Sequence, residues 1–188
     1  MPFRVRRVVT ATDSAGKSFF RYDGPNETVL EQPGRGLVFH ELWETDGPLA
    51  SVDGEEDAGA RPIRHHPPAA GTRFRIVEFM PDEEQKQDIA LADFETIEAA
   101  DILVEGAKDP SMHRNDTVDY NIILAGEIYA VTDAGEVLLR AGDVLVQRGT
   151  AHTWHNRSGS KCVFASIMVS AEPHSFYADS DAGLANDD

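Results

Sequence analysis

The residues best suited to chemistry fall in two short segments. One runs from Met112 to Gly126 and carries His113, Asn115, Thr117 and Asp119; the other runs from Gly142 to Asn156 and carries His152, Trp154 and His155. In extended backbone, successive side chains point to opposite faces, so His113, Asn115, Thr117 and Asp119 share one face. Polar side chains on an inward face are costly unless they are paired or act as ligands. Their concentration here points to a site rather than a dry core. By the same parity His155 faces away from His152, as a surface or interface residue, while Trp154 shares the His152 face and serves either as an aromatic wall or as core. Tyr120 has the opposite parity to Asp119 and packs outside. No Gly-rich phosphate loop, G-x-S-x-G elbow or zinc-ribbon spacing is present.

Strands must position these segments. Asp119 to Ala125, Glu127 to Thr132, Glu136 to Arg140 and Asp143 to Gln147 are short apolar runs joined by Gly-containing turns, and Cys162 to Val169 forms a last core strand. Upstream, Phe3 to Thr10, Lys17 to Tyr22, Leu37 to Trp43 and Arg73 to Met80 read as strands as well. The stretch from Ala90 to Val104 has apolar residues at three- and four-residue intervals and reads as a helix broken near Ala100. Thr45 to Gly71 is rich in Gly, Pro, Asp, Glu and Ala and reads as a long exposed loop, either a cover for the site or an insertion. His65 and His66 lie in its Pro-rich part, where a capping or solvent role is expected. His40 and Glu41, on the third strand, are weaker candidates that could approach the mouth, which the sequence alone does not place. Cys162, at the start of an apolar strand, reads as buried and inert. Antiparallel strands with tight turns close into a barrel or jelly roll, which limits exposed edges.

The two segments resemble the motifs of the cupin superfamily, in particular its small single-domain, conserved-barrel members. The first family motif reads G-x5-H-x-H-x(3–4)-E-x6-G, and His113-x-Asn115-x3-Asp119-x6-Gly126 follows it, with Asn at the second histidine and Asp at the glutamate. The second reads G-x5-P-x-G-x2-H-x3-N; Gly142, then Gly149-x2-His152-x3-Asn156, follows it one residue short, with Gln147 where proline is usual. The resemblance implies an all-β, cupin-type antiparallel barrel or jelly roll with an N-terminal strand arm and one or two short helices. Carried over residue by residue, it implies a divalent metal (Fe, Mn, Zn or Ni) on His113, Asp119 and His152, with Asn115 as a weak oxygen donor; in the enzyme reading, Asn115 or Thr117 orients the substrate. Two histidines and one carboxylate form a facial set that leaves open positions on Fe(II). The competing expectation is a degenerate site in which His113 and Asp119 hydrogen-bond each other.

The organisation expected is an N-terminal arm over 1–44 that joins the barrel or a homodimer, a loop over 45–72, the barrel over 73–170, and a disordered acidic tail over 171–188. The chain has 17 Lys and Arg against 33 Asp and Glu, a formal charge of −16. Such a surface repels phosphate backbones and anionic lipid, so neither nucleic acid nor membrane is an expected partner. With one cysteine, no signal-peptide pattern and no long apolar run, the cytoplasm is the expected compartment. The function expected is a metal-dependent enzyme acting on a small organic molecule, by oxygenase or oxidoreductase chemistry or by metal-assisted isomerisation or decarboxylation. The alternative is a metal-free cupin that binds or senses a small ligand without catalysis.

Overall fold

The structure, a computed structural model, describes residues 3–85 and 94–177. Among these, eleven strands form: β1 (Arg6–Thr12), β2 (Ser18–Pro25), β3 (Val29–Gln32), β4 (Leu37–Thr45), β5 (Thr72–Phe79), β6 (Thr117–Ala125), β7 (Glu127–Thr132), β8 (Gly135–Arg140), β9 (Val144–Arg148), β10 (Thr153–His155) and β11 (Cys162–Ser170). All their pairings are antiparallel. A six-stranded sheet in the order β3-β4-β5-β11-β6-β9 faces a three-stranded sheet in the order β10-β7-β8, while β1 and β2 form a hairpin of their own. This is the all-β, antiparallel jelly-roll architecture the motifs imply. Strands β3 and β10 are too short to stand out as apolar runs.

Alternation along each strand decides what enters the core. On β6, Thr117, Asp119, Asn121 and Ile123 are buried, while Tyr120 and Leu124 face outward. Ile123 packs with Leu37, Phe39, Val77, Ile128, Leu139 and Phe164 between the two sheets. Truncating such a side chain to alanine costs about 2–5 kcal/mol. Leu42, Ile76, Val163 and Ala165 form a second cluster that includes Val5 of the N-terminal segment. The β6–β7 turn needs Gly126, because its φ is +74° and a Cβ would come 2.5 Å from the Lys161 carbonyl oxygen. Cys162 is buried, and burial pushes its thiol up to about 12.

Of the helix expected over 90–104, residues 90–93 lie outside the described residues. From Phe94 onward the chain does not form one helix: Phe94 and Glu95 are helical, Glu98 turns to φ +52°, and a separate 3-10 turn spans Ala100–Ile102. The apolar periodicity reflects burial of Phe94, Ile97, Ala99 and Ile102 against the core, which a folded-back turn achieves as well as a helix does. Of the tail expected to be disordered, residues 178–188 lie outside the described residues; 171–174 run irregularly into a short helical turn at 175–177. No helix among the described residues is long and apolar enough to cross a membrane.

Candidate functional site

His113 and His152 are fixed to each other by their backbones. Each donates its amide N–H to the other's carbonyl oxygen at 2.9 Å, forming a bridge between the segment before β6 and the segment before β10. A hydrogen-bonded antiparallel pair puts both side chains on one face, and the two imidazole centroids lie 4.2 Å apart. Gly149, with φ +58°, turns the chain after β9 so that it returns to this bridge, and its N–H donates to the Thr117 carbonyl at 2.9 Å. Asp119 stands across from Gln147 in the β6–β9 register, and both are buried.

The third imidazole comes from the long loop. Arg73 Nε donates to the His66 carbonyl at 3.0 Å, and Arg75 donates to the Arg64 carbonyl, so two arginines of β5 hold the residues on either side of His65. The His65 amide donates to the Ile97 carbonyl at 2.7 Å. Its ring meets that of His113 edge-on, with centroids 5.8 Å apart. This corrects the expectation of a capping or solvent role: His65 lines the cavity, whereas His66 stays outside beside Asp101. The cavity, about 70 Å³, is otherwise walled by Phe39, Phe79, Phe94, Trp154, Phe164 and Arg75. It is smaller than the ~150 Å³ of a void that takes up benzene, so a larger ligand requires the loop or side chains to give way.

Hydrogen bonding sets each tautomer. His113 Nδ1–H donates to the Ser111 carbonyl at 2.8 Å and His152 Nδ1–H donates to the Thr150 carbonyl at 2.9 Å. His65 Nε2–H donates to Asn115 Oδ1 at 3.1 Å, which leaves its buried Nδ1 without a hydrogen-bond partner. Burial holds all three rings neutral: it lowers His113 to about 4 and, together with the neighbouring imidazoles, carries His65 and His152 well below the usual histidine range. Burial pushes the Asp119 carboxyl the other way, up to about 6, against weaker pulls from Thr117 and Arg75. Asp119 Oδ1 accepts no hydrogen bond of standard geometry.

The structure therefore brings His113, Asp119, His152 and Asn115 to one cavity, with Trp154 beside them. Thr117 is buried beneath and does not line it, so of the two residues expected to orient a substrate only Asn115 is placed to do so. The degenerate alternative, a direct His113–Asp119 hydrogen bond, is absent among the described residues; Asp119 Oδ2 instead accepts from Gln147 Nε2 at 3.3 Å. His155 bridges Asp82 at 3.1 Å and Asp109 at 2.8 Å, away from the cavity. His40 is on the opposite face of β4, where it pairs with Glu78 at 2.8 Å, while Glu41 pairs with Arg75 at 2.7 Å and Arg73 at 2.9 Å.

Comparison with known proteins adds to this geometry. No model of a known protein family matches the chain. Phomopsin biosynthesis cluster protein C' of Diaporthe leptostromiformis is 29% identical over 153 residues, 81% of this chain and 70% of that protein. The cupin-domain-containing oxidoreductase virC of Hypocrea virens is 48% identical over 50 residues, 26% of each chain. The cupin-domain-containing oxidoreductase fogC of Aspergillus ruber is 26% identical over 164 residues, 84% of this chain and 66% of that protein. The fold and both motif segments resemble the cupin superfamily, whose domain virC and fogC carry by name. Among solved structures, the cupin domain of Schizosaccharomyces pombe Cnp3 overlays with a TM-score of 0.47 at 11% identity, covering 96% of each chain. The matches to virC and fogC span less than two thirds of those two proteins.

In kind, the donors suit a divalent cation. Two neutral imidazoles have one nitrogen tied to a backbone carbonyl and the other left as a lone pair, the arrangement usual for metal-bound histidine, and a carboxylate oxygen lacks a partner. In spacing they are not closed around an ion: among the described residues no three His, Cys, Asp or Glu side chains form a group that could hold one. Gln147 Nε2 lies 2.9 Å from both ring nitrogens of His152 and also reaches Asp119, so an amide fills the space between two of the donors.

Proposed function

We propose that this protein is a cupin enzyme of oxidoreductase type acting on a small, largely apolar organic molecule, with a divalent metal held by His113, Asp119 and His152. The observation that carries this reading is the cluster of three neutral imidazoles and a carboxylate at the polar end of an aromatic-walled cavity. The names of virC and fogC support the oxidoreductase part of it. A metal bound there supplies Lewis acidity or a place for O2. The chain's own residues do the rest. Asn115 and His65 offer polar contacts at the mouth, with His65 Nδ1 as an acceptor. Phe79, Trp154 and Phe164 exclude water and hold the apolar part of the substrate.

A second reading, a metal-free cupin that holds a small ligand, is favoured by the Gln147 amide, which donates to Asp119 Oδ2 and fills the space against the His152 ring without an ion. Thermal unfolding of the chelator-stripped, tag-free protein separates the two. Under the first reading, one of Fe(II), Mn(II), Zn(II) or Ni(II), added anaerobically, raises Tm, and His113→Ala abolishes the effect. Binding that favours the folded state at a hundred times Kd contributes about 2.7 kcal/mol, enough to see. A protein stabilised by no metal but by members of a small-molecule screen is the second kind.

A further inference from the structure

We propose that His65 selects the ligand of this cavity: its Nδ1 accepts a hydrogen bond from a hydroxyl or N–H carried by the apolar molecule bound there. The inference rests on the reading of the cavity as the seat of a small, largely apolar organic molecule, and it holds with or without a metal. His65 lines the cavity together with Phe79, Trp154 and Phe164. Its Nε2–H is given to Asn115 Oδ1 at 3.1 Å, so Nδ1 carries the lone pair. That nitrogen is buried, and no donor among the described residues reaches it. Burial, with other imidazoles close by, keeps the ring neutral, so Nδ1 has no proton to give.

The loop gives this ring little freedom to find a partner elsewhere. Arg73 Nε holds the His66 carbonyl at 3.0 Å, Arg75 holds the Arg64 carbonyl, and the His65 amide donates to the Ile97 carbonyl at 2.7 Å. The ring itself sits edge-on to His66 and His113, with centroids 5.6 Å and 5.8 Å away. A buried acceptor without a donor is costly, and a water that serves it is displaced when an apolar molecule fills the cavity. The ligand must then bring the donor itself. A hydroxyl or N–H on its skeleton meets that demand, whereas an ether, carbonyl or carboxylate oxygen sets one lone pair against another. A site with a buried polar group rejects the analogue that leaves it unpaired far better than an apolar pocket rejects a missing methylene.

The test is nuclear magnetic resonance of the histidine ring nitrogens in the full, tag-free, isotope-labelled chain, titrated with pyrrole and with furan. The two rings match in size, and only pyrrole has an N–H. The expected result is an unprotonated His65 Nδ1 whose resonance shifts upfield as pyrrole binds, with no such shift for furan, and pyrrole bound about tenfold or more tightly than furan. His65→Phe, which keeps a ring in place, loses both the resonance and the preference. Circular dichroism reports its folding, and the wild-type resonance carries the test if that variant does not fold. Equal binding of the two rings to wild type, or a preference that survives in folded His65→Phe, overturns the inference and leaves the reading of the cavity standing. A protonated Nδ1 in the free protein overturns it as well. Binding of neither ring overturns both.

Discussion

Asp119 and Glu78 are both buried carboxyl groups, and their surroundings push their ionisation in opposite directions. Asp119 has only weak compensation and is raised to about 6. Glu78 suffers the same desolvation, but it accepts from Lys161, pairs with His40 at 2.8 Å and receives the Phe3 amide, so it stays below the usual carboxylate range. A folded pKa below the unfolded value contributes stability above about 4.5 that disappears as pH falls through the folded value. Glu78→Gln should therefore cost about 1–3 kcal/mol at pH 7 in urea unfolding, with the difference from wild type shrinking as the pH drops below 4. A gap independent of pH would contradict the assignment. Residue identity was legible in the sequence where it was local. Parity along one strand and fixed motif spacing brought out His113, Asn115, Asp119 and His152. His65 escaped because its neighbours in the chain are prolines and surface residues, and its place is set by arginines on another strand.

Those arginines act at the scale of the element. Arg73 and Arg75 alternate along β5 into the interior, where Glu41 and Glu44 of β4 neutralise them and each donates once more, to the carbonyls of His66 and Arg64 respectively. Strap and sheet are thus one unit. Removing one member of a buried ion pair costs about 3–5 kcal/mol, mostly through the charge left behind. Arg75→Leu is expected to lose stability in that range and to raise hydrogen exchange at the His65 amide, which is bonded to the Ile97 carbonyl in the wild type. Destabilisation with unchanged exchange at His65 would show that the strap is held by something else. Arg73 and Arg75 at alternate positions of an otherwise apolar strand are the sequence signal for this network, and apolar periodicity alone passes over it. The strands themselves were legible because Gly turns punctuate them; β3 and β10 were not, since three or four residues carry too little periodicity.

At the scale of the molecule, the β1–β2 hairpin stands apart from both sheets and shows an apolar surface, with Phe20 72% exposed and Val8 44% exposed. A two-stranded hairpin is marginal alone in water, and this one is tied down by Arg7 pairing with Asp57 and Leu42. The homodimer expected from the sequence would use this face, and solution mass tests it. Light scattering should give twice the chain mass of 20.6 kDa, and Phe20→Ser should shift the mass toward monomer. With a formal charge of −16 on each copy, added salt should favour the dimer by screening. A monomer at all salt concentrations would rule out the arrangement.

The central claim, that His113, Asp119 and His152 form a metal centre at the mouth of this barrel, is tested most directly by elemental analysis. The protein is purified without a His-tag or chelator and compared with His113→Ala, His152→Ala and, as a control away from the cavity, His155→Ala. The account predicts near-stoichiometric metal in wild type and the His155 variant, and loss of it in the other two with the fold intact. Absence of metal in wild type after reconstitution, or retention in both His113→Ala and His152→Ala, would contradict it.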